Sequence, residues 1–145
     1  MNVALVIGST GVAGRALVEY LGGLRDWEVL GAARKPIESC DRAKFIPVDL
    51  SDAAAARRAL AQARNVTHVF YSAYVHAPTW AEQCAPNTAL LVNAVDALES
   101  VAPGLRHICL LQGTKYYGCH LGPFRTPARE SDPRHPPPNF YYDQQ

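Results

Sequence analysis

The sequence predicts an α/β fold built on a doubly wound parallel sheet. Three observations carry this reading. Short apolar runs of strand length recur along the chain, stretches with helical spacing separate them, and a glycine-rich turn joins the first run to the first helix. Strands that alternate with helices through short joins form a parallel sheet with right-handed crossovers.

Val3 to Ile7 (VALVI) is an apolar run ending at Gly8, the pattern of a strand buried on both faces. Val12 to Leu21 follows with Val12, Ala16, Leu17, Tyr20 and Leu21 at helical spacing, and Gly22-Gly23 stops it. Trp27 to Ala33 and Lys44 to Val48 read as the second and third strands. Ser51 is placed to cap the alanine-rich helix Asp52 to Ala63, because a serine oxygen accepts from the open amides of a first turn. Val66 to Tyr71 supplies the fourth strand. From Thr79 or Trp80 to Ser100, the spacing of Leu90, Leu91, Val95 and Leu98 predicts a long helix that Pro86 should kink or restart. Arg106 to Leu111 is the fifth strand.

Beyond it the chain changes character. Six of its 11 prolines fall between Pro123 and Pro138, so neither helix nor inner strand is expected there. The 145 residues are read as one nucleotide-binding domain, with a strand-helix core over about 1–112 and a proline-rich segment over 113–145. The fold is expected to be truncated before its last strands and substrate-binding part.

With 48% hydrophobic and 19% charged residues the chain suits a single globular core and not a disordered segment. A net charge of +1 with scattered basic residues argues against a nucleic-acid surface. No apolar run near the N-terminus approaches the roughly 20 residues that cross a bilayer, and no basic leader precedes the first strand, so a cytoplasmic location is expected. Cys40, Cys84, Cys109 and Cys119 lack metal-ligand spacing and are expected as free thiols, with Cys109 in the core. The five histidines form no His-x-x-x-His pair, and no metal site is expected. Oligomeric state stays open, a homodimer among the options.

Gly8-Ser9-Thr10-Gly11-Val12-Ala13-Gly14 lies directly between a strand and a helix, the context of a Rossmann-type dinucleotide loop. Gly8 permits the tight turn, Gly11 lets backbone approach a pyrophosphate, and Gly14 lets helix and strand pack closely. The helix N-terminus then faces the phosphates. At the end of the second strand an NAD site wants a carboxylate, about 20 residues past the glycines. Here Ala33-Arg34-Lys35 stands instead, and two cations favour the 2′-phosphate of NADP(H). Asp49, followed by Leu50, lies past the third strand, where it either accepts from the adenine amino group or stabilises the turn. Ser72, Ala73 and Tyr74 follow the fourth strand at the same crevice edge.

Reductases of this broad class use a tyrosine tuned by a lysine, commonly as Tyr-x-x-x-Lys, and this chain has no such pair. Lys115, in Gly113-Thr114-Lys115-Tyr116-Tyr117 directly after the fifth strand, is the candidate lysine. An ammonium close to a phenol favours phenolate.

Four stretches resemble the progesterone 5β-reductase and iridoid synthase family of atypical short-chain dehydrogenases/reductases and its bacterial relatives. They are the glycine loop, Ala33-Arg34-Lys35-Pro36, the block His107 to Tyr117 (HICLLQGTKYY), and Gly122-Pro123-Phe124 leading to Asn139-Phe140-Tyr141-Tyr142. The resemblance implies Lys115 and Tyr141 as the catalytic pair and Tyr74, Phe124 and Tyr142 as substrate-side residues. It further implies NADPH-dependent reduction of a carbon-carbon double bond conjugated to a carbonyl. The chain departs from the family at Leu111-Gln112, where plant enzymes carry Gln-Thr, in two extra residues between Tyr117 and Gly122, and at Gln145, where an acid is usual. The competing expectations are a non-catalytic NADP-binding regulator and a nucleotide-sugar epimerase or dehydratase, the latter disfavoured by the missing Tyr-x-x-x-Lys.

Overall fold

The structure, a computed structural model, describes residues 1–35 and 43–143; Pro36, Cys40 and Gln145 of the preceding section lie outside the described residues. Five strands, β1 (Asn2–Ile7), β2 (Trp27–Ala33), β3 (Lys44–Pro47), β4 (His68–Tyr71) and β5 (His107–Leu110), form one parallel sheet in the order β3-β2-β1-β4-β5. This is the doubly wound sheet the alternation predicts.

Strand β1 is its centre because every residue from Val3 to Ile7 is apolar, and the strand is flanked on both sides. Leu5 stands opposite Leu30 on β2 and Val69 on β4. Ala4, Leu5, Val6 and Ile7 are 0 to 1% exposed. Burying each of the larger three contributes about 1.5–3 kcal/mol, which makes this strand the seed of the core. Strand β5 pairs only with β4 among the described residues, so His107 and Ile108 are exposed and Cys109 is half-buried, not the core residue expected from its apolar run. Cys84, Cys109 and Cys119 carry free thiols.

Helix α1 (Val12–Leu21) buries Gly14, Val18 and Leu21, while Val12 and Tyr20, counted on the apolar face by spacing, point outward. Helix α2 (Ala53–Leu60) begins one residue later than expected. Its cap is Asp52, which accepts from the amides of Ala54 and Ala55, because Ser51 is engaged as a donor to Asp49.

Helix α3 (Trp80–Glu99) opens on a capping box. The Glu82 carboxylate accepts from the Thr79 amide and hydroxyl, and the Glu82 amide donates to the Thr79 hydroxyl oxygen. The helix runs on through Pro86 without a restart. Proline removes one amide donor, and nearby side chains serve neighbouring carbonyls: Asn87 Nδ2 donates to Gln83 O and Thr88 Oγ1 to Cys84 O. A single turn, α4 (Phe140–Asp143), follows the last proline, where none was expected. Pro138 precedes it, so the fixed ring ends before the first helical amide is needed.

The chain divides into two compact units. One comprises Met1–Tyr74 and Ala89–Leu111, the sheet and its helices; the other comprises Val75–Thr88 and Gln112–Gln145. The proline-rich segment thus shares its unit with the start of α3.

In the first unit the turn after β1 is set by sterics. Gly8 has φ +82°, and a Cβ there would lie 2.7 Å from the Ala73 amide nitrogen. A Cβ on Gly14 would run into the carbonyl oxygen of Gly8. Gly14→Ala is therefore expected to lower the urea-unfolding free energy by about 1–3 kcal/mol, the cost of forcing an extra carbon into a packed contact. Gly104→Ala, where the added carbon meets nothing within 4 Å, is expected to stay within about 0.5 kcal/mol. Equal losses at the two sites would contradict the close approach.

Candidate active site

The glycine loop and the residues expected to hold a nucleotide lie in the first unit. Helix α1 starts at Gly11 without any side-chain cap, so its first-turn amides are left for a ligand. The Gly11 amide closes the turn by donating to Gly8 O at 3.0 Å. Thr10, Gly11 and Val12 are exposed, Val12 at 94%, and Ser9, 1% exposed, has a hydroxyl with no hydrogen-bond partner. An uncapped helix start behind a turn that excludes side chains fits a pyrophosphate held by backbone amides.

Arg34 and Lys35, just past the end of β2, are exposed, and neither forms an ion pair among the described residues. Ala33 next to them is half-buried and its carbonyl accepts from Val48 at 3.0 Å. Asp49 is exposed, and its Oδ1 accepts from the Ser51 hydroxyl at 2.7 Å and the Ser51 amide at 2.9 Å. These bonds, with a lesser pull from the Arg34 charge, hold its carboxyl below the usual carboxylate range. The turn-stabilising role weighed for Asp49 is visible directly, and one carboxylate oxygen stays clear of it. Leu50 is a buried core residue whose carbonyl accepts from Asn93 Nδ2. Ser72 donates its hydroxyl to Ile7 O at 2.9 Å, tying the end of β4 to the end of β1, and Ala73 and Tyr74 beyond it are half-buried.

The second unit brings Lys115 and Tyr141 together from segments 26 residues apart in sequence. Lys115 sits on a tight 3-10 turn, Thr114–Tyr117, and Tyr141 on α4. The Lys115 Nζ lies 4.9 Å from the centre of the Tyr141 ring and 4.2 Å from that of Trp80. The lysine is held by ring faces, an arrangement in which the ring quadrupole attracts the ammonium.

Two backbone ties join these segments. Asn139, 2% exposed, donates its side-chain amide to Lys115 O at 3.0 Å, and the His135 amide donates to Tyr116 O at 2.9 Å. Tyr142, one residue on, turns elsewhere: its ring packs on Tyr116 at 5.5 Å and carries the Arg134 guanidinium at 4.1 Å. Phe124 is half-buried and makes no ring contact among the described residues.

Two residues in this cluster escaped the sequence reading. Trp80 packs edge-on against His120 at 4.9 Å and Tyr141 at 6.5 Å. The capping pattern Thr79-Trp80-Ala81-Glu82 marks where its helix starts, but nothing in a linear sequence ties that start to Lys115. His120 comes from the stretch with extra residues, and its ring lies 6.2 Å from that of Tyr141. Both its ring nitrogens are buried with no hydrogen-bond partner. Burial, then the neighbouring Lys115 charge and His135, hold its pKa below the ordinary 6.5. Among the described residues no group of three or more His, Cys, Asp or Glu is placed to hold a metal ion, and no helix is long and apolar enough to cross a membrane.

Residues 49–145 match the model of the PRISE-like Rossmann-fold domain. The 3-oxo-Delta(4,5)-steroid 5-beta-reductase of Arabidopsis thaliana is 38% identical over 99% of this chain and 40% of its own length. The (S)-8-oxocitronellyl enol synthase of Camptotheca acuminata is 37% identical over 97% of this chain and 40% of its own. The chain thus spans about two fifths of these relatives. Among solved structures, the Bordetella bronchiseptica enzyme WbmH in complex with NAD+ superposes with a TM-score of 0.72 at 18% identity, covering 99% of this chain and 49% of that one. A short chain dehydrogenase family protein from Francisella tularensis gives 0.66 at 20% identity, covering 81% and 53%. These two share the fold. The chain belongs to the PRISE-like Rossmann-fold family.

The His120 environment has a measurable consequence. The unfolded chain takes up this proton near pH 6.5 and the folded chain only at lower pH. In that window the unfolded state binds more protons, so this residue's contribution to stability rises with pH and declines as pH falls below 6.5. In an NMR pH titration the His120 ring is expected to titrate below 6.5 and to move up when Lys115 is replaced by Met. A midpoint at or above the ordinary value would refute the buried, lysine-flanked placement.

Proposed function

We propose that this member of the PRISE-like family serves as an NADPH-dependent oxidoreductase that reduces the carbon-carbon double bond of α,β-unsaturated carbonyl compounds. The observation that carries the reading is the meeting of Lys115 and Tyr141 in one aromatic pocket without a Tyr-x-x-x-Lys helix. The names of the relatives, a steroid 5-beta-reductase and an enol synthase, support the same class of chemistry.

NADPH, when bound, supplies the hydride. The backbone amides at the start of α1 would hold its pyrophosphate, and Arg34 with Lys35 would pair with its 2′-phosphate. Tyr141 would donate a hydrogen bond from its hydroxyl to the carbonyl oxygen of a bound enone, where negative charge grows during reduction. The Lys115 side chain, over the ring face, would stabilise electron density moving onto the phenol. Trp80 keeps the ammonium in place and shuts water out of that side, which strengthens each charge-dipole interaction. Phe124 would lie on the substrate side, whereas the Tyr142 ring is taken up by Tyr116 and Arg134.

Two experiments on the intact protein test this. Tyr141→Phe and Lys115→Ala are each expected to lower kcat for NADPH-dependent reduction of a small cyclic enone by about 10²–10⁴-fold, the usual scale for losing a positioned acid. Full activity in both would exclude Lys115 and Tyr141 as the catalytic pair, whereas NADPH binding without any enone reduction by the unaltered protein would favour a non-catalytic NADP-binding protein. Arg34→Ala is expected to weaken NADPH binding in calorimetry by about tenfold and NADH hardly at all, the size of one charge-assisted phosphate contact. Equal effects on both nucleotides would remove Arg34 from the 2′-phosphate site.

A further inference from the structure

Lys115 and Tyr141 each sit on a single turn, and neither turn is long enough to hold its shape unaided. The 3-10 turn and α4 are four residues each, far below the roughly 12 residues at which isolated helices become marginally stable. Something in the surrounding chain must fix their relative placement. The strongest observation in the second unit is Asn139.

Asn139 serves both turns at once. Its own carbonyl accepts from the Tyr142 amide at 2.8 Å and the Asp143 amide at 3.0 Å, which closes the turn carrying Tyr141. Its side-chain Nδ2 donates to the Lys115 carbonyl at 3.0 Å. That carbonyl already accepts from the Gly118 amide at 3.0 Å, the bond that closes the 3-10 turn. The two short turns are therefore joined carbonyl to amide through one buried side chain. The residue also carries a cost: its Oδ1 is buried and has no hydrogen-bond partner, and leaving a buried acceptor unmet is worth about 1–3 kcal/mol. A side chain kept there for stability alone would gain from being apolar. The amide is retained for what its other end holds.

We infer that Asn139 is a positioning residue that sets the Lys115 ammonium against the Tyr141 ring by clamping the Lys115 carbonyl to the turn that carries Tyr141. It touches neither substrate nor cofactor and acts only through Lys115. This rests on the Lys115 and Tyr141 roles proposed above, and the test separates the two ideas.

The test uses Asn139→Leu, which keeps the volume and removes the donor, and Asn139→Ser, which keeps a polar group too short to reach, in the intact protein. Two readouts are taken. Trp80 lies 4.2 Å from the Lys115 ammonium, so its fluorescence reports the lysine independently of turnover, with Lys115→Ala as the reference for a lost ammonium. The second is kcat for enone reduction with and without Lys115→Ala, with NADPH affinity alongside. Both Asn139 variants are expected to shift Trp80 emission in the direction of Lys115→Ala. They should lower kcat by about 10–100-fold, the scale of a misplaced catalytic group, while NADPH affinity stays within twofold. In the Lys115→Ala background the same substitutions should cost less than about twofold more, because residues acting through one another are not additive.

Unchanged Trp80 emission in a variant that folds by circular dichroism would overturn the inference, as would losses that multiply fully with Lys115→Ala. If emission shifts while Lys115→Ala itself leaves kcat intact, the clamp stands and the enone reading fails. Should Asn139→Leu fail to fold, Asn139→Ser carries the same comparison.

Discussion

The first unit depends on a contact in which no side chain is permitted. Gly14 lies against the carbonyl of Gly8 so closely that a single added carbon would collide with it. Only this approach lets α1 begin directly above the end of β1 with its first amides uncapped. The central strand is fixed from both sides by β2 and β4 and is almost wholly buried. A rigid strand delivers the turn, and the turn delivers an uncapped helix start, the arrangement that suits an anion. Changing the core of β1 would therefore loosen the nucleotide loop before it altered any group that touches a ligand.

The second unit reaches order by a different route. It has the beginning of α3, two single turns and a run of prolines, so regular backbone pairing contributes little. Side chains and rings replace it: the Thr79-Glu82 capping box, the Asn139 and His135 ties to successive carbonyls, and a cluster of Trp80, His120 and Tyr141 around one ammonium. Prolines limit what the backbone can do without those ties, which reduces the entropy lost when the segment is ordered. A unit built this way places its groups by a few specific bonds, and each is correspondingly sensitive to substitution.

The sequence made the first unit legible because its signals are local. Apolar runs, a glycine loop and an alternating pattern are read within a dozen residues, and the five strands fall where the runs lie. The misreadings there have local causes as well: Ser51 passed as a cap because its partner Asp49 is two residues away and equally polar, and Cys109 passed as core because an apolar run does not reveal that its strand is the last of the described sheet. In the second unit the start of α3 and the candidate Lys115 were legible from spacing and position, and Tyr141 only through resemblance to a family motif. Nothing in the spacing of Trp80, Lys115, His120 and Asn139 says that they meet, because their proximity is a product of tertiary folding across 60 residues.

The central claim is a 1,4-reduction, and isotope placement tests it most directly. The intact protein would be given NADPH carrying deuterium at the transferring position and a small cyclic enone, and the product examined by NMR. The account requires deuterium at the β-carbon of a saturated ketone, with loss of that product in Tyr141→Phe. Deuterium at the carbonyl carbon of an allylic alcohol, or no transfer at all from a sample that binds NADPH, would contradict it.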